Sequence, residues 1–518
     1  MNVPDYIIPL IVAIPLLGAF LTPLVSRIND KLRNIFVIIV LALNAVLVFL
    51  LASDILTTGI KTYVFGAKDL SYPIVRILFE VDAMSIFMAI ISSILVLVAV
   101  VYSWSFMEKN TGLDKYYTLI LLLTAGMLGM VLTGDMFNFF VFLEITSIAS
   151  CALIAFWIHR GESVEAGFKY IVISAMGALF VLFAVALLYG QYNALNIALL
   201  SSVIQYTFLD KIALVLLIVA LAMKAGIVPM HMWLPDSYGS APSSISIILV
   251  SATLASLYGV FRVIFTLYGN VLSNIANFGI PVNVFIGWLI VALAMVSILI
   301  GVIMALIQTD FKRLIAYGAV AELGYMFLGI GAGITALGTA YGKTALDGGI
   351  FHIINDALDV GLLFLVAGAI YYATKETSLD KLGGLARNMK YTTVFFVIGL
   401  LAVAGMPPLN GFASKLLIYE STFQLNPILA IVAILSSILL LAVFVKVFYS
   451  AFMGPQLPKF KDVKEVPKSM LFSMGVIACI IVIFGLFPEV IINNIVEPAA
   501  NALIGYSEYI SQVVAGGI

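Results

Sequence analysis

The chain has 518 residues, of which 63% are hydrophobic and only 10% are charged. Soluble domains carry about 25% charged residues, so this chain cannot build a water-facing surface, and the same composition excludes a disordered protein. Lys and Arg number 26 and Asp and Glu number 27, so there is no basic excess to bind nucleic acid. The composition predicts an all-α polytopic membrane protein.

Apolar runs long enough to cross the hydrocarbon core, about 20 residues each, predict about 14 transmembrane helices. They begin near Tyr6, Arg33, Asp82, Tyr116, Phe137, Gly167, Lys211, Ala241, Val282, Leu314, Asp347, Tyr391, Pro427 and Met470. The first run lacks a basic start and a small-residue cleavage site. We therefore interpret it as a retained span and not as a signal peptide.

The basic residues indicate the orientation in the cell (inner) membrane. Loops after odd-numbered spans hold more Lys and Arg than the opposite loops, by about 17 to 5, and cytoplasmic loops are the basic ones. The opposite side holds only Lys61, Lys68, Arg76, Lys211 and Lys343. Both termini are therefore predicted to be extracytoplasmic.

Two spans carry helix-breaking residues beside a lysine. The seventh reads from Lys224 through Gly226 to Pro229, and the twelfth runs from Gly405 through Pro407 and Pro408 to Lys415. Paired broken spans of this kind are typical of inverted repeats around an ion pathway. An odd interval of five spans predicts two inverted five-helix repeats at 113–270 and 271–455. A three-helix segment, 1–112, precedes them, and a C-terminal helix and tail, 456–518, follow.

Two charges in the first repeat have no ionisable neighbour on their own helix. A charge inside the membrane costs about 2.5–3.5 kcal/mol on insertion scales, so each needs a partner. Glu144 and Lys224 are candidates for one another. A pair that opens and closes could pass a proton, because pairing favours the charged forms and burial the neutral ones. The alternative is a static bridge between two helices.

In the second repeat, His352, Asp356 and Asp359 are spaced i, i+4 and i+7, which places them on one helix face. Histidine titrates near neutral pH, so this stripe and Lys415 are candidates for a hydrated proton or cation route. The alternative is a packed, hydrogen-bonded cluster. Glu322 is an auxiliary candidate that could equally satisfy the backbone or a basic neighbour.

Two further basic residues, Arg262 and Lys446, lie nearer the ends of their spans. We expect both side chains to reach towards the interface, where a long aliphatic stem can stay apolar while the charge is hydrated.

Signatures of other chemistry are missing from the sequence. It has no P-loop and no dinucleotide-binding glycine motif. His159, His231 and His352 are scattered, and Cys151 and Cys479 lack CxxC spacing. We expect no cofactor and no metal in this chain, so any redox or hydrolytic centre would belong to partner subunits.

Four stretches, 224–238, 308–317, 351–369 and 405–412 with Lys415, together resemble antiporter-like membrane subunits of the respiratory complex I superfamily. That group includes proton-pumping subunits of NADH:quinone oxidoreductase, multisubunit sodium/proton antiporters and membrane-bound hydrogenases. The likeness extends over about residues 116–453, and residues 233–238 with Asn355 and Asp356 are most similar to the D-type antiporter subunit.

The resemblance implies two inverted repeats joined by a central hydrophilic axis. Glu144 matches the family's fifth-helix glutamate, and Lys224 and Lys415 match the lysines of its two broken helices. His352 matches an eleventh-helix histidine. In the family these residues carry proton transfer. The implied partners are antiporter-like and hydrogenase- or quinone-module membrane subunits, lipid, and protons, with sodium as a second candidate ion.

The central axis departs from the family pattern. Ala255 and Val250 occupy eighth-helix positions where relatives place lysine or histidine, and Val360 replaces an eleventh-helix lysine. Four hydroxyl-bearing residues of the eighth span are candidates to hold water across this gap: Ser251, Thr253, Ser256 and Tyr258. The sequence therefore leaves open an altered or silent channel.

Three functions remain open at this point. The first is an ion-translocating subunit of a complex I-like respiratory complex or of a multisubunit cation/proton antiporter. The second is a stand-alone secondary transporter for a small solute, and the third is a structural subunit with a silent channel. The driving reaction and the ion, proton or sodium, do not follow from the sequence.

Overall fold

The computed structural model describes residues 3–66, 77–277 and 280–514, which form a helical bundle with two short β-hairpins. Lys68 and Arg76, which contributed to the predicted orientation, lie outside the described residues.

The elements follow the predicted order. The N-terminal part comprises α1 (Ile7–Ser26), α2 (Asp30–Thr58), β1 (Lys61–Phe65), β2 (Ile77–Val81) and α3 (Ala83–Phe106). The next comprises α4 (Leu113–Leu132), α5 (Met136–Ile154), α6 (Gly161–Tyr192), α7 (Ile197–Val203), α8 (Phe208–Ala225), α9 (Trp233–Ser240) and α10 (Ser243–Phe261). A π-helical stretch, Arg262–Leu267, extends α10.

The second half begins with α11 (Gly269–Asn274), β3 (Ala276–Asn277) and β4 (Ile280–Pro281). Its long helices are α12 (Val282–Ile307), α13 (Phe311–Thr335), α14 (Ala340–Thr374), α15 (Lys390–Val403), α16 (Asn410–Leu425) and α17 (Pro427–Val447). The chain ends with α18 (Lys468–Leu486), α19 (Pro488–Ile491), α20 (Glu497–Ile504) and α21 (Tyr506–Val514).

Among the described residues, 12 helices are long and apolar enough to cross a membrane. Two predicted spans are not among them because each is divided, into α8 and α9 and into α15 and α16. The broken helices therefore lie where the Gly/Pro pattern predicts them, whereas the total of 14 stays a prediction.

A glycine ends the first half of each broken helix. Gly226 follows α8 with φ of 79°, and Gly405 lies just after α15 with φ of 69°. Residues with a Cβ atom rarely adopt this left-handed conformation. At Gly226 a Cβ atom would also come within 2.6 Å of Leu234 Cδ1. The turn and the close return of the chain both require glycine.

The second half repeats the arrangement of the first. Helices α4 and α5 pack together as α12 and α13 do, and α6 packs on α8 as α14 packs on α16. Because five spans separate the start of α4 from the start of α12, the two units run in opposite directions. This is the predicted inverted repeat.

Helices α12 and α13 approach closely through glycines, as small residues permit in membranes. A Cβ atom at Gly301 would lie 2.6 Å from the backbone N of Ala321, and one at Gly324 would lie 2.9 Å from the backbone N of Ile298. Glu322 lies between these two contact positions and is 1% exposed. The close approach of the helices therefore fixes the position of a buried carboxylate.

Candidate ion pathway

A buried charged cluster lies in the second repeat. Lys415 Nζ on α16 is 2.8 Å from Glu322 Oε1 on α13, and Glu322 Oε2 is 2.7 Å from His352 Nε2 on α14. All three side chains are about 1% exposed. Three helices thus contribute one ionisable group each to a site shielded from lipid. Glu322, only an auxiliary candidate from the sequence, joins the other two.

The break between α15 and α16 supplies another partner for the lysine. Lys415 Nζ donates to the carbonyl of Val403, 2.7 Å away, at the end of α15. The ammonium also lies 4.4 Å from the ring centroid of Tyr325. In lipid a freed carbonyl must find a partner inside the protein. Here the interrupted helix creates the acceptor that its own lysine uses.

The predicted stripe on α14 points towards α16. Asn355 Nδ2 donates to the carbonyl of Asn410 at 3.0 Å, and Asn410 Nδ2 donates to Asp359 Oδ1 at 3.0 Å. His352 Nδ1 is 3.0 Å from Ser414 Oγ. Asp356 is buried beside this network, and its Oδ1 has no hydrogen-bond partner among the described residues. The stripe therefore combines a connected polar chain with one unsatisfied carboxylate.

The first repeat holds its lysine differently. Lys224 on α8 donates to Ser147 Oγ on α5. Glu144, one turn before Ser147, interacts electrostatically with Lys224, but among the described residues the two form no ion pair. Glu144 is only half-buried. The glutamate–lysine pair is therefore open in the first repeat, while the corresponding Glu322–Lys415 pair is closed.

Tryptophan occupies the acceptor beside the first break. Trp233 Nε1 donates to the carbonyl of Met223 at 3.0 Å, and Val228 N donates to Ser297 Oγ at 3.0 Å. These bonds satisfy the broken backbone and leave Lys224 free to face α5. Lys224 borders a cavity of about 10 Å³, which is about the volume that one water needs.

Only two of the four predicted hydroxyl residues reach this cavity. Thr253 and Ser256 on α10 line it together with Lys224. Ser251 donates instead to Ser92 Oγ on α3 at 2.9 Å, and Tyr258 Oη is 3.0 Å from Ser85 Oγ. The expectation that all four bridge the axis is wrong for Ser251 and Tyr258, because their positions on α10 turn them towards α3.

A tyrosine that the sequence did not single out as a site residue occupies the gap. Tyr238 Oη on α9 is 2.5 Å from Thr253 Oγ1. On its other side it interacts electrostatically with Asp356, and its ring packs edge-on against Phe364, 5.6 Å between centroids. The described residues therefore connect the cavity of Lys224 with the polar stripe of α14. Its place in the stretch 233–238 was the available signal.

The expectation for Arg262 is also wrong. Its side chain is 4% exposed and forms an ion pair with the buried Asp82. Burial beside α3 keeps the guanidinium from reaching the interface. Lys446 remains near the end of its helix and donates to the carbonyls of Leu306 and Gln308.

The described residues contain no group of three or more His, Cys, Asp or Glu side chains that could hold a metal ion. Cys151 and Cys479 are free thiols. The chemistry that the site offers is therefore charge pairing and hydrogen-bonded proton movement.

Comparison with known families places the chain. A family model described as NADH:quinone oxidoreductase/Mrp antiporter, transmembrane, matches residues 133–440, more than half of the chain. The chain belongs to this family. Glu144, Lys224, Glu322, His352 and Lys415 all lie within the matched residues, and the resemblance seen in the sequence is confirmed.

Two curated relatives and one solved structure illustrate the likeness. NADH-quinone oxidoreductase subunit N of Desulforudis audaxviator is 33% identical over 423 residues, 78% of this chain and 80% of that protein. The D-type subunit of the Na(+)/H(+) antiporter of Bacillus subtilis is 29% identical over 508 residues, 97% and 98%. A chain of the membrane-bound sulfane sulfur reductase, an archaeal respiratory membrane complex, superposes with a TM-score of 0.84 at 27% identity, covering 98% and 99%.

Proposed function

We propose that this chain translocates protons, alone or in exchange for sodium, as one membrane subunit of a multisubunit complex. The observation that carries the proposal is the buried Glu322–His352–Lys415 cluster, which Tyr238 links to the cavity of Lys224. Buried ionisable groups in membrane proteins are costly and mark ion or proton routes by default.

The proposed route runs from Glu144 and Lys224 through Thr253 and Tyr238 to the α14 stripe and Lys415. A closed glutamate–lysine pair stabilises both charges, while an open pair favours release of the lysine proton. The described structure has one pair of each kind. We propose that the two pairs alternate, so that a proton leaving one lysine is linked to the state of the other.

The relatives support the assembly with other subunits. Their names describe subunits of a quinone oxidoreductase and of a sodium/proton antiporter, and the superposed chain belongs to a respiratory membrane complex. We propose that this chain also lies in the cell membrane beside other membrane subunits, with both termini extracytoplasmic. The energy comes from redox chemistry in partners or from an existing ion gradient.

The stand-alone transporter is the less favoured function. The cavity at Lys224, about 10 Å³, is too small for an organic solute. Native purification separates the two functions, because a subunit should co-purify with a stoichiometric set of membrane proteins and a lone transporter should not.

Replacing Lys224 by alanine tests the proposal. We expect proton movement across inverted membrane vesicles, followed with a pH-sensitive dye, to fall at least about tenfold, since a positioned proton-transfer group typically contributes that much or more. The complex should still co-purify in normal yield. Vesicles would be energised with a respiratory substrate in one arm and with a sodium gradient in the other.

Lys211→Ala is the matched control. Lys211 begins the same helix, is exposed, and lies 4.8 Å from the ring centroid of Tyr206, so its loss should leave transport unchanged. Normal transport by an assembled Lys224→Ala complex in both arms would reject the proposed route.

A further inference from the structure

A second buried charged cluster lies outside the proposed route. Arg262, the first residue of the π-helical stretch after α10, forms an ion pair with Asp82 before α3. Its Nε donates to Tyr258 Oη at 2.7 Å, and its Nη2 donates to Ser85 Oγ at 3.0 Å. Both charged side chains are under 5% exposed. This pair is therefore a built, water-poor site.

Glu80 adds a second carboxylate to it. Glu80 on β2 is 0% exposed, and neither of its carboxylate oxygens has a hydrogen-bond partner among the described residues. Arg262, Asp82 and Tyr509 are the groups that interact with it electrostatically. A Cβ atom at Gly134 would lie 2.7 Å from Glu80 Cβ, so the strand is pressed against the α4–α5 turn and the side chain cannot withdraw.

The charges in this cluster do not balance. One guanidinium faces two carboxylates, and an uncompensated buried carboxylate is far more costly than a neutral one. Burial raises the pKa of the Glu80 carboxyl well above its usual value, although Arg262 opposes the shift. A single bound proton would remove the excess charge without a new ligand.

The C-terminal helix closes the site. Tyr509 on α21 is 1% exposed, and its ring centroid lies 4.7 Å from the guanidinium carbon of Arg262. Its hydroxyl has no hydrogen-bond partner among the described residues. The cluster is thus covered by a short terminal helix, and α10 connects it to Thr253 and Ser256 on the route.

We propose that Glu80, Asp82, Arg262 and Tyr509 form a second proton-binding site, at the face of the bundle that carries the β1–β2 hairpin and α21. The proton resides on Glu80 and is exchanged with that face during transport. This exchange step rests on the proposed function, whereas the binding of the proton does not.

Infrared spectroscopy of the intact complex tests the binding. We expect the wild-type complex at neutral pH to show a carboxylic-acid C=O band, shifted in D2O, that Glu80→Gln removes. Glu508→Gln, an exposed glutamate next to Tyr509 on α21, should keep the band. Tyr509→Phe should change the frequency of the band without removing it. If Glu80→Gln removes no such band, the site does not exist.

Transport in the same variants tests the exchange. We expect Glu80→Gln to lower proton movement at least about tenfold and Glu508→Gln to leave it unchanged. If the band disappears while transport stays normal, the exchange step is wrong. Loss of transport in Lys224→Ala but not in Glu80→Gln would leave the proposed function intact and reject only this step.

Discussion

Replacing Lys415 by alanine should lower ion transport at least about tenfold, because the ammonium that closes the second-repeat pair is lost and each 1.36 kcal/mol on a barrier is tenfold in rate. Lys415 contacts Glu322, the Val403 carbonyl and the face of Tyr325, so no other described side chain takes its place. Transport would be measured with the dye assay in inverted vesicles.

A stability measurement separates this role from a structural one. Removing one partner of a buried pair leaves the other charge uncompensated and costs about 3–5 kcal/mol, whereas removing both can be nearly neutral. The double variant Glu322→Gln/Lys415→Ala should therefore regain thermal stability without regaining transport. A spacer role predicts instead that transport recovers with stability.

The control for Lys415 is Lys446→Ala. Lys446 is also a membrane lysine bonded to backbone carbonyls, but it forms no ion pair among the described residues. We expect this variant to transport normally. Equal losses in Lys415→Ala and Lys446→Ala would show that any membrane lysine matters and that the cluster has no special role.

Tyr238→Phe should lower transport at least about tenfold, since it deletes the one hydroxyl between Thr253 and the neighbourhood of Asp356. The ring and its edge contact with Phe364 remain, so the fold should lose only about 1 kcal/mol, the usual net value of one hydrogen bond. The transport assay and thermal unfolding of the purified complex would measure these two effects.

Tyr102→Phe provides the comparison. Tyr102 is equally buried, and its hydroxyl donates to the Leu365 carbonyl on α14 at 2.8 Å. It should lose similar stability and keep its transport. If Tyr238→Phe transports as well as Tyr102→Phe does, protons do not pass this hydroxyl.

The membrane fold and its breaks were predictable because hydrophobic run length and Gly/Pro placement act locally. Lys224 before Gly226 and Lys415 after Gly405 mark both interruptions in the sequence itself. The β1–β2 hairpin was not predicted, because residues 54–80 carry no clear alternating pattern and the hairpin is held by distant contacts, such as Gly134 N to the Leu78 carbonyl at 2.9 Å.

The site was predicted only where residues share a helix. His352, Asp356 and Asp359 follow helical spacing, so their common face was visible. Partners between helices were not. Ser147 rather than Glu144 contacts Lys224, and Asp82 buries the Arg262 that was expected at the interface. Tyr238 and Glu80 were missed because their importance depends on which distant groups the fold places beside them.

The central claim is that both lysines serve one continuous conduit, and the transport rate of the double variant Lys224→Ala/Lys415→Ala tests it most directly. In a single conduit every ion depends on both lysines, so each single variant should already reach the low rate of the double variant. Two independent channels would give the opposite result, with each single variant keeping about half of the wild-type rate and only the double variant losing transport.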